Sequence, residues 1–137
     1  MLTVNLYDSQ FAQSLCSTAF QTPQYIEYVR GLRDFDGITL FTDEWINHPV
    51  VDQVKSKHKI GWLREPQCLH PLTYQAALLN ASKFDFILTY YEPFLSMRPE
   101  RQPDGEWVYA FKFALYGGVW IDRAEWGIKP KCKLCCM

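Results

Sequence analysis

The chain has 137 residues, 48% of them hydrophobic and 21% charged, with a formal net charge of −1. That is enough for one domain with a single core, and the near-neutral balance gives no electrostatic reason to expect nucleic acid or an anionic membrane as partner. No apolar stretch approaches a membrane-spanning helix, and the opening MLTVNLYDSQ lacks the basic and apolar regions of a secretory signal, so the expected location is the cytoplasm.

Residues 3–7, TVNLY, alternate and carry β-branched and aromatic side chains, which predicts a first strand closed by Asp8, Ser9 and Gln10. Thr22 and Pro23 have the form of a helix start, an N-cap followed by proline at the first helical position. Tyr25, Ile26, Tyr28, Val29 and Leu32 would give that helix its apolar face, with Gly31 near its end. Residues 38–41, ITLF, predict a second strand ending at Thr42, Asp43 and Glu44. A helix opened by Pro49 would be capped by Asn47 or His48 and place Val50, Val51 and Val54 inward.

Residues 59–63, KIGWL, form the third predicted strand, running into Arg64, Glu65 and Pro66, where the missing N–H of proline stops the ladder. Residues 71–81 predict a helix with proline first and Leu72, Ala76 and Leu79 at helical spacing. Residues 85–89, DFILT, make a fourth strand, almost wholly apolar as a strand covered on both faces should be. A polar, proline-rich loop at 98–105 leads to an aromatic strand around 107–113, then to a Tyr116-Gly117-Gly118 turn and an apolar run at Val119, Trp120 and Ile121.

Five cysteines is an odd number, and Cys132, Cys135 and Cys136 crowd the last six residues, which suggests free thiols in a reducing compartment. Cys132 and Cys135 match a C-x-x-C spacing. No second pair stands at zinc-knuckle spacing and no helix opens there, so buried strand thiols are preferred to a metal or redox site.

Short strands with polar carboxyl ends alternate with helices, which predicts an α/β fold: a single Rossmann-like, doubly wound domain with a mainly parallel sheet. The G-x-G-x-x-G fingerprint and the phosphate loop are both missing, so the sheet need not bind a nucleotide. Ligands of such sheets bind beyond the carboxyl ends of the strands, which directs attention to Glu65. A carboxylate there can take a proton from a substrate hydroxyl, whereas the local alternative is a solvated strand-end glutamate paired with Arg64.

Four pieces in order carry a resemblance: KIGWLREP at 59–66 with Pro71 and Tyr74 behind it, FDFILT at 84–89, YGGVWI at 116–121, and KCKL at 131–134. Residues 59–137 so read resemble the N-terminal half of the fucosyltransferase-type glycosyltransferases (family ten), especially their microbial and phage-like relatives. The resemblance implies one half of a GT-B-like architecture, in which two Rossmann-like domains flank a cleft. The first holds the acceptor and the second binds the nucleotide-sugar donor.

It further implies inverting transfer with a glutamate as base, and Glu65 falls on that position, although the family's intervening serine before proline is absent. On this reading Arg64, Tyr90, Tyr91, Glu92, Gly117 and Gly118 would contact substrate. Tyr90, Tyr91 and Glu92 follow the fourth strand at the same sheet edge; they could pack on a sugar face or begin the next helix. Gly117 and Gly118 could equally serve a tight turn.

The acceptor-side domain would span residues 1–128, and 129–137 would begin a linker or strand toward a donor domain that the 137 residues do not contain. The expectation is a domain inactive alone, with a glycan acceptor as partner, no metal, and no cofactor beyond the donor that a second domain would bind. The alternative is a non-enzymatic interaction or structural module on the same half-fold, as a homo-oligomer. A third reading, an unrelated Rossmann-like enzyme, would use Glu65 with His70, and a Cys68–His70 nucleophilic pair is conceivable. Asp43, Glu44 and His48 could bind metal or form a solvated loop.

Overall fold

Strand β1 (Leu2–Tyr7) is buried from Val4 to Tyr7, with Val4 and Leu6 on one face of the sheet and Tyr7 on the other, and lies between two partners. On one side is β2 (Ile26–Arg30), on the other β3 (Asp34–Thr42), both parallel to it, with Asn5 level with Val29 and with Thr39. Next to β3 comes β4 (Lys55–Trp62), then β5 (Phe86–Thr89) and β8 (Phe111–Phe113). These six strands form one parallel sheet in the order β2-β1-β3-β4-β5-β8. This is the doubly wound α/β arrangement, in which the chain leaves β1 in one direction and returns past it in the other. The structure, a computed structural model, describes residues 1–9, 24–101, 107–108 and 110–114.

The two faces of the sheet are filled differently. On one, Tyr7, Phe41, Leu63, Ile87 and Phe111 pack with Val50, Val51 and Val54 around helix α1 (Val50–Gln53), Tyr74 and Ala77 of α2 (Pro71–Asn80), and Phe94 of α3 (Glu92–Leu95). On the other, Val4, Leu6 and Leu40 form a smaller cluster with Ile26, Tyr28, Ile38, Ile60 and Trp62. Helices were expected on both faces; the three described helices pack on the first. Gly61 belongs to that face because a Cβ there would lie 2.9 Å from a Cγ of the fully buried Ile87.

Segment Ile26–Arg30 is a strand and not part of the helix its spacing suggested. Ile26, Glu27, Tyr28, Val29 and Arg30 are rich in β-branched and aromatic side chains, and pairing with β1 decides between the two periods. Glu27 turns to solvent while Ile26 and Tyr28 pack on the second cluster. Gly31 then takes a left-handed conformation, φ 68°, and the chain passes over β1 to begin β3 only three residues later.

So short a connector between parallel strands needs fastening, which the side chain of Asn5 supplies. Its Nδ2 donates to the Leu32 carbonyl at 2.7 Å and its Oδ1 accepts the Leu32 N–H at 3.0 Å. The Tyr7 hydroxyl donates to the same carbonyl at 3.2 Å.

The predicted aromatic strand at 107–113 divides in two. Trp107–Val108 (β7) pairs antiparallel with Glu100–Arg101 (β6), inside the segment expected to be a loop, whereas β8 joins the main sheet. The helix opened by Pro49 is present, and His48 Nδ1 accepts the N–H of Val50 at 3.1 Å. The predicted helix start at Thr22 and Pro23, the run at 116–121, the C-terminal cysteines and the boundary at 128–129 lie outside the described residues.

Candidate functional site

Parallel strands deliver all their carboxyl ends to one edge, and here each end brings a polar residue. Asp8 follows β1, Thr42 closes β3 with Asp43 after it, Arg64 and Glu65 follow β4, and Thr89 closes β5. The crevice between β1 and β3, where the chain direction reverses, is the usual ligand position in such sheets. In this protein a buried ion cluster fills it.

Arg64 reaches back from β4 and gives NH1 and NH2 to the two carboxylate oxygens of Asp8, at 3.1 and 3.0 Å, and Nε to Asp43 Oδ2 at 2.9 Å. Its NH2 also donates to the Thr42 hydroxyl at 3.1 Å, and its guanidinium carbon lies 5.9 Å from the centre of the Trp62 ring. The Arg64 and Asp8 side chains are wholly shielded from solvent. Burial works against the charge on Arg64, but the two carboxylates outweigh it and hold the guanidinium protonated. Burial also pushes the Asp43 carboxyl above the usual carboxylate range, against the pull of Arg64 and of two backbone N–H groups.

Asp43 has a backbone φ of 45°, a left-handed conformation that aspartate tolerates better than most residues. The resulting turn brings its carboxylate beneath the end of β4. There Oδ1 accepts the N–H of Arg64 at 2.7 Å and of Glu65 at 3.2 Å. The Glu65 carbonyl accepts from the Tyr74 hydroxyl at 2.8 Å. Both backbone polar groups of Glu65 are therefore held, one by β3's extension and one by α2.

The half-buried side chain of Glu65 accepts no hydrogen bond and joins no ion pair among the described residues. Close by stands the Tyr90 phenol, pushed up by burial first and also by the negative charges of Glu65 and Asp43, while its hydrogen bond with Tyr74 works the other way. Tyr74 is raised as well, by burial first and then by Tyr90 and Asp43, against a hydrogen bond from Thr89.

The expected contact residues are therefore distributed unequally. Glu65 and Tyr90 share one half-open polar patch at the ends of β4 and β5. Arg64, expected to touch substrate, is buried between Asp8 and Asp43, so its charge is spent inside the protein. Tyr91 is packed edge-on against Tyr74 and Phe94, at ring distances of 5.0 and 5.1 Å, and Glu92 is exposed at the start of α3. Gly117 and Gly118 lie outside the described residues.

Asp43, Glu44 and His48 do not converge: Asp43 is turned to Arg64 and His48 Nδ1 to Val50. No group of three potential ligands able to hold a metal ion occurs among the described residues. Cys68 and His70 are both exposed in the turn before α2, with no hydrogen bond between them.

Sequence reading missed Asp8 as a partner of Arg64, and Thr89 as part of the patch. A signal existed, since each is a polar residue at the carboxyl end of a predicted strand. No helix of the described residues is long and apolar enough to cross a membrane. Comparison with models of protein families, with curated proteins and with solved structures gives no match.

Proposed function

We propose that this α/β domain is the acceptor side of a glycosyltransferase-like protein, with Glu65 as the general base of an inverting sugar transfer. One observation supports this above the others. The arginine adjacent in sequence is committed to Asp8 and Asp43, which leaves the Glu65 carboxylate without a counter-ion among the described residues, at the ligand edge of the sheet where its charge is felt by the Tyr90 phenol. A base needs reach to a substrate proton more than it needs a structural partner. The donor nucleotide-sugar would be bound by a second unit, and cytoplasmic placement fits the thiol-rich composition.

The acceptor reading is tested by nuclear magnetic resonance titration of the labelled chain with a panel of oligosaccharides and with a guanine-nucleotide sugar. An oligosaccharide at millimolar concentration should shift the amides of Glu65, Thr89 and Tyr90, and the nucleotide-sugar should not bind. No response to any oligosaccharide, or micromolar binding of the nucleotide-sugar, would overturn it.

A second reading, a non-enzymatic module that pairs with its own copy, is favoured by α2. Leu72 and Leu79 are 75% and 82% exposed, seven residues apart on one helix face, and Leu69 just before the helix is 65% exposed. No charged residue stands anywhere in the helix, so two copies could meet across a two-fold axis without like-charge repulsion.

A further inference from the structure

General-base catalysis requires a carboxylate held within hydrogen-bond reach of its proton, and a residue just past the end of a strand has no ladder to hold it. Something else must fix Glu65. Asp43 makes four kinds of commitment at once. It is almost completely buried, its backbone sits at φ 45°, its Oδ2 accepts from Arg64 Nε at 2.9 Å, and its Oδ1 accepts the N–H groups of Arg64 and Glu65 at 2.7 and 3.2 Å.

We propose that Asp43 is the positioning residue of the site. From its left-handed turn it grips the Arg64 and Glu65 amides and fixes the direction in which the Glu65 side chain leaves β4. The proposal rests on the reading of Glu65 as the base.

A counter-ion for Arg64 alone would not need this geometry. Asp8 already forms a two-pronged pair with the same guanidinium, and Asp43 could complete it with Oδ2 only. Instead Oδ1 is turned to the two amides. The conformation at position 43 would be easier for glycine or asparagine, and neither offers a charged acceptor. Charge strengthens such bonds to about twice the neutral value. The charged and titratable groups gathered around Asp43 are Asp8 from β1, Arg64 and Glu65 from β4, Tyr74 from α2, and Tyr90 from the end of β5.

Two variants separate positioning from bulk stability. Asp43→Asn keeps an Oδ1 acceptor, while Asp43→Gly suits the backbone and removes the acceptor. Exchange at Glu65 through local opening reports on its own amide bond, while exchange at Ile87 in the sheet centre reports on global stability. The Glu65 rate should rise by less than about 10-fold in Asp43→Asn, which keeps a neutral acceptor, and by about 10- to 100-fold in Asp43→Gly, which keeps none. An unchanged Glu65 rate in folded Asp43→Gly overturns the proposal.

Should Asp43→Gly not fold, the unmutated chain carries the test. The amide protons of Arg64 and Glu65 should shift together in one pH step, above the usual carboxylate range, that persists in Glu65→Gln and vanishes in Asp43→Asn. A step that vanishes in Glu65→Gln overturns the proposal. Neither readout uses a sugar, so failure of every oligosaccharide to bind sinks the acceptor reading and not this one. Oligosaccharide binding at full strength by a folded Asp43→Gly chain counts against positioning alone.

Discussion

Arg64 shows how little a residue's type says about its use. At the end of a strand, beside a glutamate and a proline, it looks like a solvent-facing charge or a ligand contact. Its neighbours in space decide otherwise: Asp8 is 56 positions earlier and Asp43 is 21. Removing one partner of a buried pair leaves the other charge without compensation, typically at a cost of about 3–5 kcal/mol. Arg64→Met should therefore lose stability of that order in urea unfolding at pH 7, with the native secondary structure retained at low denaturant.

The pH dependence of that loss has a defined sign. Burial already raises the Asp43 carboxyl, and without the pull of the guanidinium it would titrate further above its unfolded value. Such groups contribute stability that is present below the unfolded value and lost as pH rises through the folded one. The gap between Arg64→Met and wild type should narrow at pH 5 and widen at pH 7. A gap that is constant across this range would mean that the cluster is not an electrostatic unit.

Among the elements, β4 is the one that positions the site, and its closest packing is at Gly61. The strand runs between β3 and β5, and its glycine lets Ile87 and Ile46 close over it. An added methyl would lie 2.9 Å from Ile87 and 3.3 Å from Ile46, both fully enclosed. Overpacking of this kind costs about 1–3 kcal/mol. Gly61→Ala should lower the urea midpoint accordingly, and the Glu65 amide should shift in the same spectrum because the end of β4 is displaced. A neutral Gly61→Ala would show that β4 and β5 have slack between them. The β2 segment teaches a different lesson: YIEYVR can be fitted to a helical face, and only the partner strand Leu2–Tyr7 selects period two.

For the whole molecule, the doubly wound order gathers Asp8, Asp43, Arg64, Glu65 and Thr89 at one edge, although they are spread over 82 positions from Asp8 to Thr89. It also leaves α2 on the outside with its leucines uncovered among the described residues. If the chain pairs through this helix, sedimentation equilibrium at micromolar concentration should give a dimer for the wild type. The double variant Leu72→Glu, Leu79→Glu should give a monomer that retains the native secondary structure. A wild type that stays monomeric to about 1 mM would exclude this face as a self-pairing surface, because that limit corresponds to only about 4 kcal/mol of association.

The strands near 3–7, 38–41, 59–63 and 86–89 and the helix at Pro71 were legible in the sequence because their signals are local: apolar runs bounded by polar ends, and proline at a first turn. Glu65 could be located at the edge for the same reason, since a strand's carboxyl end is where a parallel sheet binds ligands. The fate of Arg64, the grip of Asp43 on the Glu65 amide, the clamp of Asn5 on Leu32 and the strand character of 26–30 were not legible. Each depends on groups brought together by strand order across long chain separations, at energies of a few kcal/mol that no local pattern records. The sequence by itself determined which segments could pair and which residues would stand at their ends; tertiary structure alone decided which charges cancel there and which carboxylate, that of Glu65, joins no ion pair among the described residues.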